Sequence, residues 1–184
     1  MKAVSIEVVQ HATLSPGLIE DLRCLFDAEY FADFGEWDPQ QPYGYASHDV
    51  HLIARVGADV VGHVGWVRRS ISVGATDVDI AGVGGMLIAA NSRGRKLGER
   101  LMHAADQSMT ETGGIQFGYL GCREEVVPFY RACGWQRITA RERSVSRDGQ
   151  AVEDPPGQPL LILPVSSCLA SWPSGSVDLR GRAW

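Results

Sequence analysis

Residues 92–102 read SRGRKLGERLM and crowd four cations, Arg93, Arg95, Lys96 and Arg100, around the opening of a helix. Positive charge at that end opposes the helix dipole, so it is hard to explain as helix stabilisation. The amides of a first helical turn have no internal acceptors, and beside guanidinium and ammonium groups they suit a phosphate or pyrophosphate. Taken alone, the same residues fit a solvated basic turn equally well. A glycine-rich strand, AGVGGMLIA, delivers the chain to this turn, and PFYRACGW follows at 128–135. His48, His51 and His63 lie at no metal-like spacing, so they are read as structural and no metal is expected.

The elements around these segments are legible from pattern. VSIEVVQ (4–10) alternates as a strand, and 15–31 forms a helix opened by Ser15 and Pro16, with Leu18, Leu22, Leu25 and Phe26 on its apolar face. A long polar and aromatic loop occupies 32–49. VHLIARVG, DVVGHVGWVRRSISV and DVDIAGVGGMLIA form an antiparallel meander with turns near Gly57–Asp59 and Gly74–Thr76. The helix after SRGR buries Leu97, Leu101, Ala105 and Met109 and stops before Gly113. A strand at 115–122, a helix at 124–134, a strand from Trp135, a turn-rich loop at 146–159, a last strand LLILPV and a tail complete the order. The fold class is α+β with a mixed sheet.

Composition narrows the partners. The 184 residues, 45% hydrophobic and 21% charged, fit one globular domain spanning 1–184. No apolar run approaches the ~18 residues of a spanning helix, and the start shows no signal-peptide pattern. Cys24, Cys122, Cys133 and Cys168 lack disulfide or zinc spacing, which points to reduced thiols and a cytoplasmic location. A net charge of −5 gives no reason to expect nucleic acid and would suit a cationic partner, although mild acidity also serves solubility.

Strand, Arg-x-x-x-x-Gly turn and helix, followed by FYRACGW, resemble the GCN5-related N-acetyltransferases (GNAT). The resemblance implies a mixed, mostly antiparallel sheet of about six or seven strands flanked by about four helices, over roughly residues 4–165. It departs from the family turn in placing Lys96 where the first glycine is usual. FADF, VGHVGWVRRSI, VGGMLIAANSRGRKL and the final DLRGRAW further resemble the aminoglycoside 2′-N-acetyltransferases, which also carry a large basic residue at that place. Gly84 stands where that group commonly has a carboxylate, and its acidic residue near the C-terminus is also missing. The resemblance therefore implies an unusual aminoglycoside acceptor, with kasugamycin as the example, acetylated in an antibiotic-resistance reaction.

That resemblance assigns the roles. Acetyl-coenzyme A would lie along Val83–Ile88, bound by the backbone of Met86, Leu87 and Ile88, with its pyrophosphate on Arg93, Gly94, Arg95, Lys96, Leu97 and Gly98. Tyr130 would protonate the leaving thiolate. The base would be the α-carboxylate of Trp184, with Asp33, Glu36, Asp38 and Asp79 as other candidates. Asp33, Glu36, Trp37, Gly84, Gly85, Asp178 and Trp184 would form the acceptor site, the tail 166–184 contributing, with Tyr43 and Tyr45 able to stack on sugars. A homodimer is implied by relatives. Two other classes fit the same residues: an acyltransferase for a polyamine, a protein N-terminus or a lipo-oligosaccharide amine, and a non-catalytic acyl-coenzyme A sensor.

Overall fold

A computed structural model describes residues 3–184. Strand β1 (Val4–Gln10) pairs antiparallel with β2 (Val50–Val56), and β2 with β3 (Asp59–Val73), which runs back along β4 (Thr76–Ile88). The meander thus forms where alternation and its glycine turns place it. Helix α1 (Pro16–Phe34) precedes it, its start fixed by Ser15, whose Oγ accepts from the Leu18 amide at 3.2 Å. Helix α2 (Leu97–Thr112) follows β4, and β5 (Phe117–Gly121) returns parallel to it. Helix α3 (Val127–Ala132), β6 (Gln136–Ile138), β7 (Glu142–Val145), β8 (Ala151–Asp154), β9 (Leu160–Pro164) and β10 (Val177–Arg182) complete the chain.

All ten strands share one sheet, in the order β6-β9-β5-β4-β3-β10-β7-β8, with β2 and β1 added along the first half of β3. The expectation of six or seven strands is low, and that of about four helices is high by one among the described residues. The strand expected from Trp135 divides into β6 and β7, and two further segments complete the strand difference. The loop at 146–159 contains β8, which forms a hairpin with β7. The tail contains β10, so LLILPV is not the last strand: Val177 and Asp178 pair with Val73 and Ser72, covering the part of β3 that β2 does not reach. Turn residues masked the first, and the shortness of VDLRGR hid the second.

Two faces of the sheet are covered differently. Leu97, Leu101, Met102, Ala105 and Met109 of α2 pack on Leu52, Ala54, Ala81 and Val83. Leu22, Leu25 and Phe26 of α1 pack on Ile53 and Leu87 with Trp37. Because Leu52 and Ile53 alternate along one strand, the two helices lie on opposite faces. Burial of each large side chain contributes about 1.5–3 kcal/mol, so the α2 stripe alone anchors that helix firmly. Among the described residues, no helix is long and apolar enough to cross a membrane.

Candidate functional site

Strand β4 is paired with β5 only from Ile80 to Gly82; past that point the two parallel strands part. The outer edge of β4 from Val83 to Ile88 therefore has no strand partner, and its backbone groups are available to an extended ligand. On the inner edge the register slips: His63 faces Leu87 but Gly65 faces Gly84, so β4 holds one residue more than β3. Gly85 and Met86 fall within this bulge, and Gly85 takes φ +60°, a conformation that glycine adopts without strain.

The edge leads into the basic turn. Lys96 is the N-cap of α2, in left-handed backbone with φ 57° and ψ 20° and no side-chain cap. The first closing bond runs from the Arg100 amide to the Lys96 carbonyl, at 3.2 Å, and the amides of Gly94 to Gly98 find no backbone acceptor. These amides open on a cavity of about 400 Å³ lined by Met86, Ile88, Ser92, Arg93, Gly94, Lys96, Leu97, Gly98, Glu99 and Phe129. The cations divide by task. Arg93 donates to the Ile88 carbonyl at 2.9 Å and pairs with Glu29, while Arg100 donates to the Val4 carbonyl at 3.2 Å. Both brace the turn. Lys96 lines the cavity with no ion pair among the described residues, and Arg95 does not line it.

Across Met86 lies a second cavity of about 460 Å³, lined by Phe26, Tyr30, Asp33, Phe34, Trp37, Pro42, Tyr43, Tyr45, His48, Gly85, Met86, Arg123, Arg147 and Trp184. Trp184 closes one side. A Cβ on Gly82 would lie 2.2 Å from its indole, and one on Gly84 would lie 2.5 Å from its carbonyl carbon. Only glycines at both places let the chain end lie flat on β4. Arg69 fixes it there, with its guanidinium 4.8 Å from the indole centroid and bonds to the carbonyls of Leu179 at 3.1 Å and Arg182 at 2.7 Å. The Ala46 amide donates to the Ala183 carbonyl at 2.8 Å.

Tyr130 stands beneath Trp135 and beside Phe129, in edge contacts at 6.1 and 5.1 Å. Burial, with Cys122, Cys133 and Tyr30 as neighbours, pushes its phenol above the ordinary value. It therefore keeps its proton at neutral pH, as a general acid must. His48 lines the pocket, with His51 and His63 buried beside it; burial, and for His48 and His51 also the neighbouring imidazoles, holds the three rings below their usual range and so neutral.

The sequence profile of the family described as Nodulation protein A (NodA) matches residues 5–182. The chain belongs to this family. No curated protein matches it. Solved structures match in fold. Escherichia coli ElaA gives a TM-score of 0.62 at 16% identity over 88% of this chain and 99% of that one. The Escherichia coli GNAT family N-acetyltransferase YhbS, solved in complex with CoA, gives 0.65 at 14% identity over 97% and 91%. An acyl-CoA N-acyltransferase from Pseudomonas aeruginosa gives 0.61 at 15% over 88% and 99%. This nodulation A family member thus has the GNAT fold.

In this nodulation A chain the residues expected from sequence separate into two sets. Met86, Ile88, Arg93, Gly94, Lys96, Leu97 and Gly98 converge on one cavity, and Asp33, Gly85 and Trp184 line the other, with Gly84 beneath Trp184. Leu87 points its side chain into the core beside Phe26 and Trp37, leaving only its backbone on the β4 edge. Trp37 is 1% exposed and stacks on Phe26 at 5.0 Å, so its ring is pocket floor and not a platform for a sugar. Glu36 pairs with Arg23 at 2.9 Å outside the cavity. Asp178 accepts from the Arg180 amide at 2.8 Å and faces Arg143, also outside it. Asp38 caps a turn through the Gln40 amide, and Asp79 is bonded through its backbone to Gln116.

Among the lining residues that the sequence did not place in a site are Tyr30, Phe34, His48, Arg123 and Arg147. Arg147 lies over Phe34 at 4.7 Å and Tyr45 at 5.6 Å, a contact between a distant loop and α1 that no local pattern announces. For the histidines there was a signal. In the hairpin closed at Gly57–Asp59, His51 and His63 sit on diagonal positions of paired strands, since Ile53 faces His63.

Proposed function

We propose that this protein is an N-acyltransferase that takes an acyl group from an acyl-coenzyme A thioester and places it on an amine of a lipo-oligosaccharide sugar. The carrying observation is the free edge of β4, which runs from the amide-rich turn of α2 to the aromatic pocket. The residues present fit coenzyme A: unpaired amides and Lys96 for the pyrophosphate, and an extended backbone edge for the pantetheine arm. When bound, the thioester supplies an activated carbonyl carbon. The Met86 amide, set in the bulge, is the donor assigned to the thioester oxygen. Tyr130 holds the proton for the leaving thiolate. The Trp184 carboxylate over Gly84 is assigned as acceptor of the amine's proton.

The choice of acceptor rests on charge. Among the pocket's lining residues Asp33 carries the single acidic side chain, while Arg123 and Arg147 are both cationic. Such a wall suits one amine on a sugar whose faces lie on Tyr30, Phe34, Tyr43 and Tyr45, and it repels a polycation. Membership in a family named for nodulation supports a signal sugar over a drug. Aminoglycoside 2′-N-acetylation, with kasugamycin as its least cationic substrate, is the second acceptor reading on the resemblance of VGGMLIAANSRGRKL and DLRGRAW. The deciding experiment follows thiol release from acyl-coenzyme A donors of several chain lengths against glucosamine oligomers, kasugamycin, other aminoglycosides and polyamines. Turnover on glucosamine oligomers is expected. Turnover on aminoglycosides alone would establish the second reading, and none on any amine would overturn transfer to amines.

A further inference from the structure

We infer that His48, His51 and His63 form a binding site for one zinc-type divalent ion in the wall of the aromatic pocket. Their ligand atoms lie within 4.8 Å of one another, and their ring centroids are 5.2, 5.7 and 5.8 Å apart. Three imidazoles on a tetrahedral ion, each nitrogen at about 2.0–2.1 Å, put nitrogens about 3.3 Å and centroids about 5 Å apart. The rings are therefore within a small adjustment of a three-histidine set.

Hydrogen bonds fix which nitrogens face inward. The Gly85 carbonyl can only accept, so His63 Nδ1 carries the proton across 2.7 Å and Nε2 is left with its lone pair toward His51 Nδ1, 2.9 Å away. His51 Nε2 faces His11 Nδ1 at 3.0 Å, and Gln40 Nε2 meets His11 Nε2 at 3.1 Å. Two of the three ligands thus have their outer nitrogen held by a backbone carbonyl or a second ring. Such outer partners are what orient histidines on metals.

His48 supplies the independent observation. It is 4% exposed, yet its Nε2 has no hydrogen-bond partner. A buried polar atom left unpaired costs about 1–3 kcal/mol, which a bound ion would remove. The backbone makes room for these rings and nothing larger. A Cβ on Gly65 would meet His48 Cγ at 2.4 Å, and one on Gly85 would approach His48 and His63 ring atoms at 3.1 and 3.2 Å. Because His48 and Gly85 also line the aromatic cavity, an ion can enter from that side and present an open coordination position to it.

The test uses the full-length protein stripped with chelator, then titrated with zinc and with cobalt(II) at neutral pH. The expected result is one ion per chain at micromolar or tighter affinity, with the strong visible absorption of four-coordinate cobalt. His48→Gln and His63→Gln should weaken binding by at least about tenfold, while His103→Gln, on the surface of α2, should leave it unchanged. His48→Gln carries the test if the deeper variant misfolds. Folding is checked by circular dichroism, and ion-dependent protection against thermal unfolding of the unsubstituted protein gives a second readout. Less than a tenth of an equivalent bound, or unchanged binding by folded His48→Gln, would overturn the site. None of these readouts depends on the acyl acceptor.

Discussion

Two cavities meet at Met86, and they are built by opposite means. The one at the α2 turn comes from a single stretch, Met86 to Glu99, plus Phe129, and it offers a ligand mostly backbone: a free strand edge and a row of amides. The other draws its walls from α1, the 42–48 loop, β4, the loops holding Arg123 and Arg147, and Trp184, and it offers side chains. A backbone site survives changes of side chain as long as the chain keeps its path. A side-chain site changes its ligand with each residue. Under the proposed function the arrangement gives a constant donor end and a variable acceptor end, divided by one methionine.

Tyr130 lines neither cavity, but under the proposed function it carries the leaving thiolate's proton, so its loss should have the largest effect. Tyr130→Phe should lower turnover by about 100-fold or more, the ordinary scale of general acid catalysis, while donor affinity measured by calorimetry stays within about twofold. Unchanged turnover would remove Tyr130 from the reaction.

Trp184→Ala comes next. The half-buried indole fills the space over Gly82 and touches Tyr119 at 6.0 Å between centroids, so its removal should cost about 2 kcal/mol in urea denaturation. Acceptor KM should rise and donor affinity should not. Gly82→Leu should reproduce this by displacing the ring, since its Cβ position is already occupied by the indole. If either variant weakened donor binding by tenfold, the two cavities would not be separable.

The third effect is one of selectivity. Arg147→Glu reverses one of the two cations at the pocket while leaving the α2 turn untouched. Polyamines and aminoglycosides should become better inhibitors or substrates by about tenfold at low salt, and the gain should fade as salt screens it. No change would show that charge at the pocket does not choose the acceptor.

The same contrast explains what the sequence disclosed. VGGMLI and SRGRKLG are contiguous, and each carries its own strand or turn, so most of the residues that line the α2 cavity could be named before any coordinates. The helix faces of α1 and α2 were equally local, set by apolar spacing. Strand β10 was not, because Val177 and Asp178 become strand by pairing with Val73 and Ser72 about a hundred residues earlier and with Glu142 and Arg143 of β7. Asp178 was expected at the pocket and lies outside it for the same reason, and Trp37 lines the pocket as buried floor. A tryptophan in a polar loop looks exposed until Phe26 is known to lie against it, and an aspartate in the tail looks free until Arg180 and Arg143 are placed. His48, His51 and His63 shared a wall that spacing along the chain could not express, although diagonal strand register could have.

Lys96 provides the finest test, since it is the one side chain of the basic turn that both lines the donor cavity and departs from the family's glycine. Its backbone at φ 57° is a conformation that costs a side-chain-bearing residue about 1 kcal/mol or more, and glycine removes that cost while making the unfolded chain more flexible. Lys96→Gly should therefore leave stability nearly unchanged. The amides of Gly94 to Gly98 keep their positions in the variant, and only one exposed charge is lost. Coenzyme A affinity should fall by about two- to fivefold at low salt, with the difference closing as salt is raised. A loss of 100-fold that persisted in high salt would mean that the ammonium group, and not the backbone, holds the phosphates, and the contrast between the two cavities would have to be redrawn with side chains on both sides.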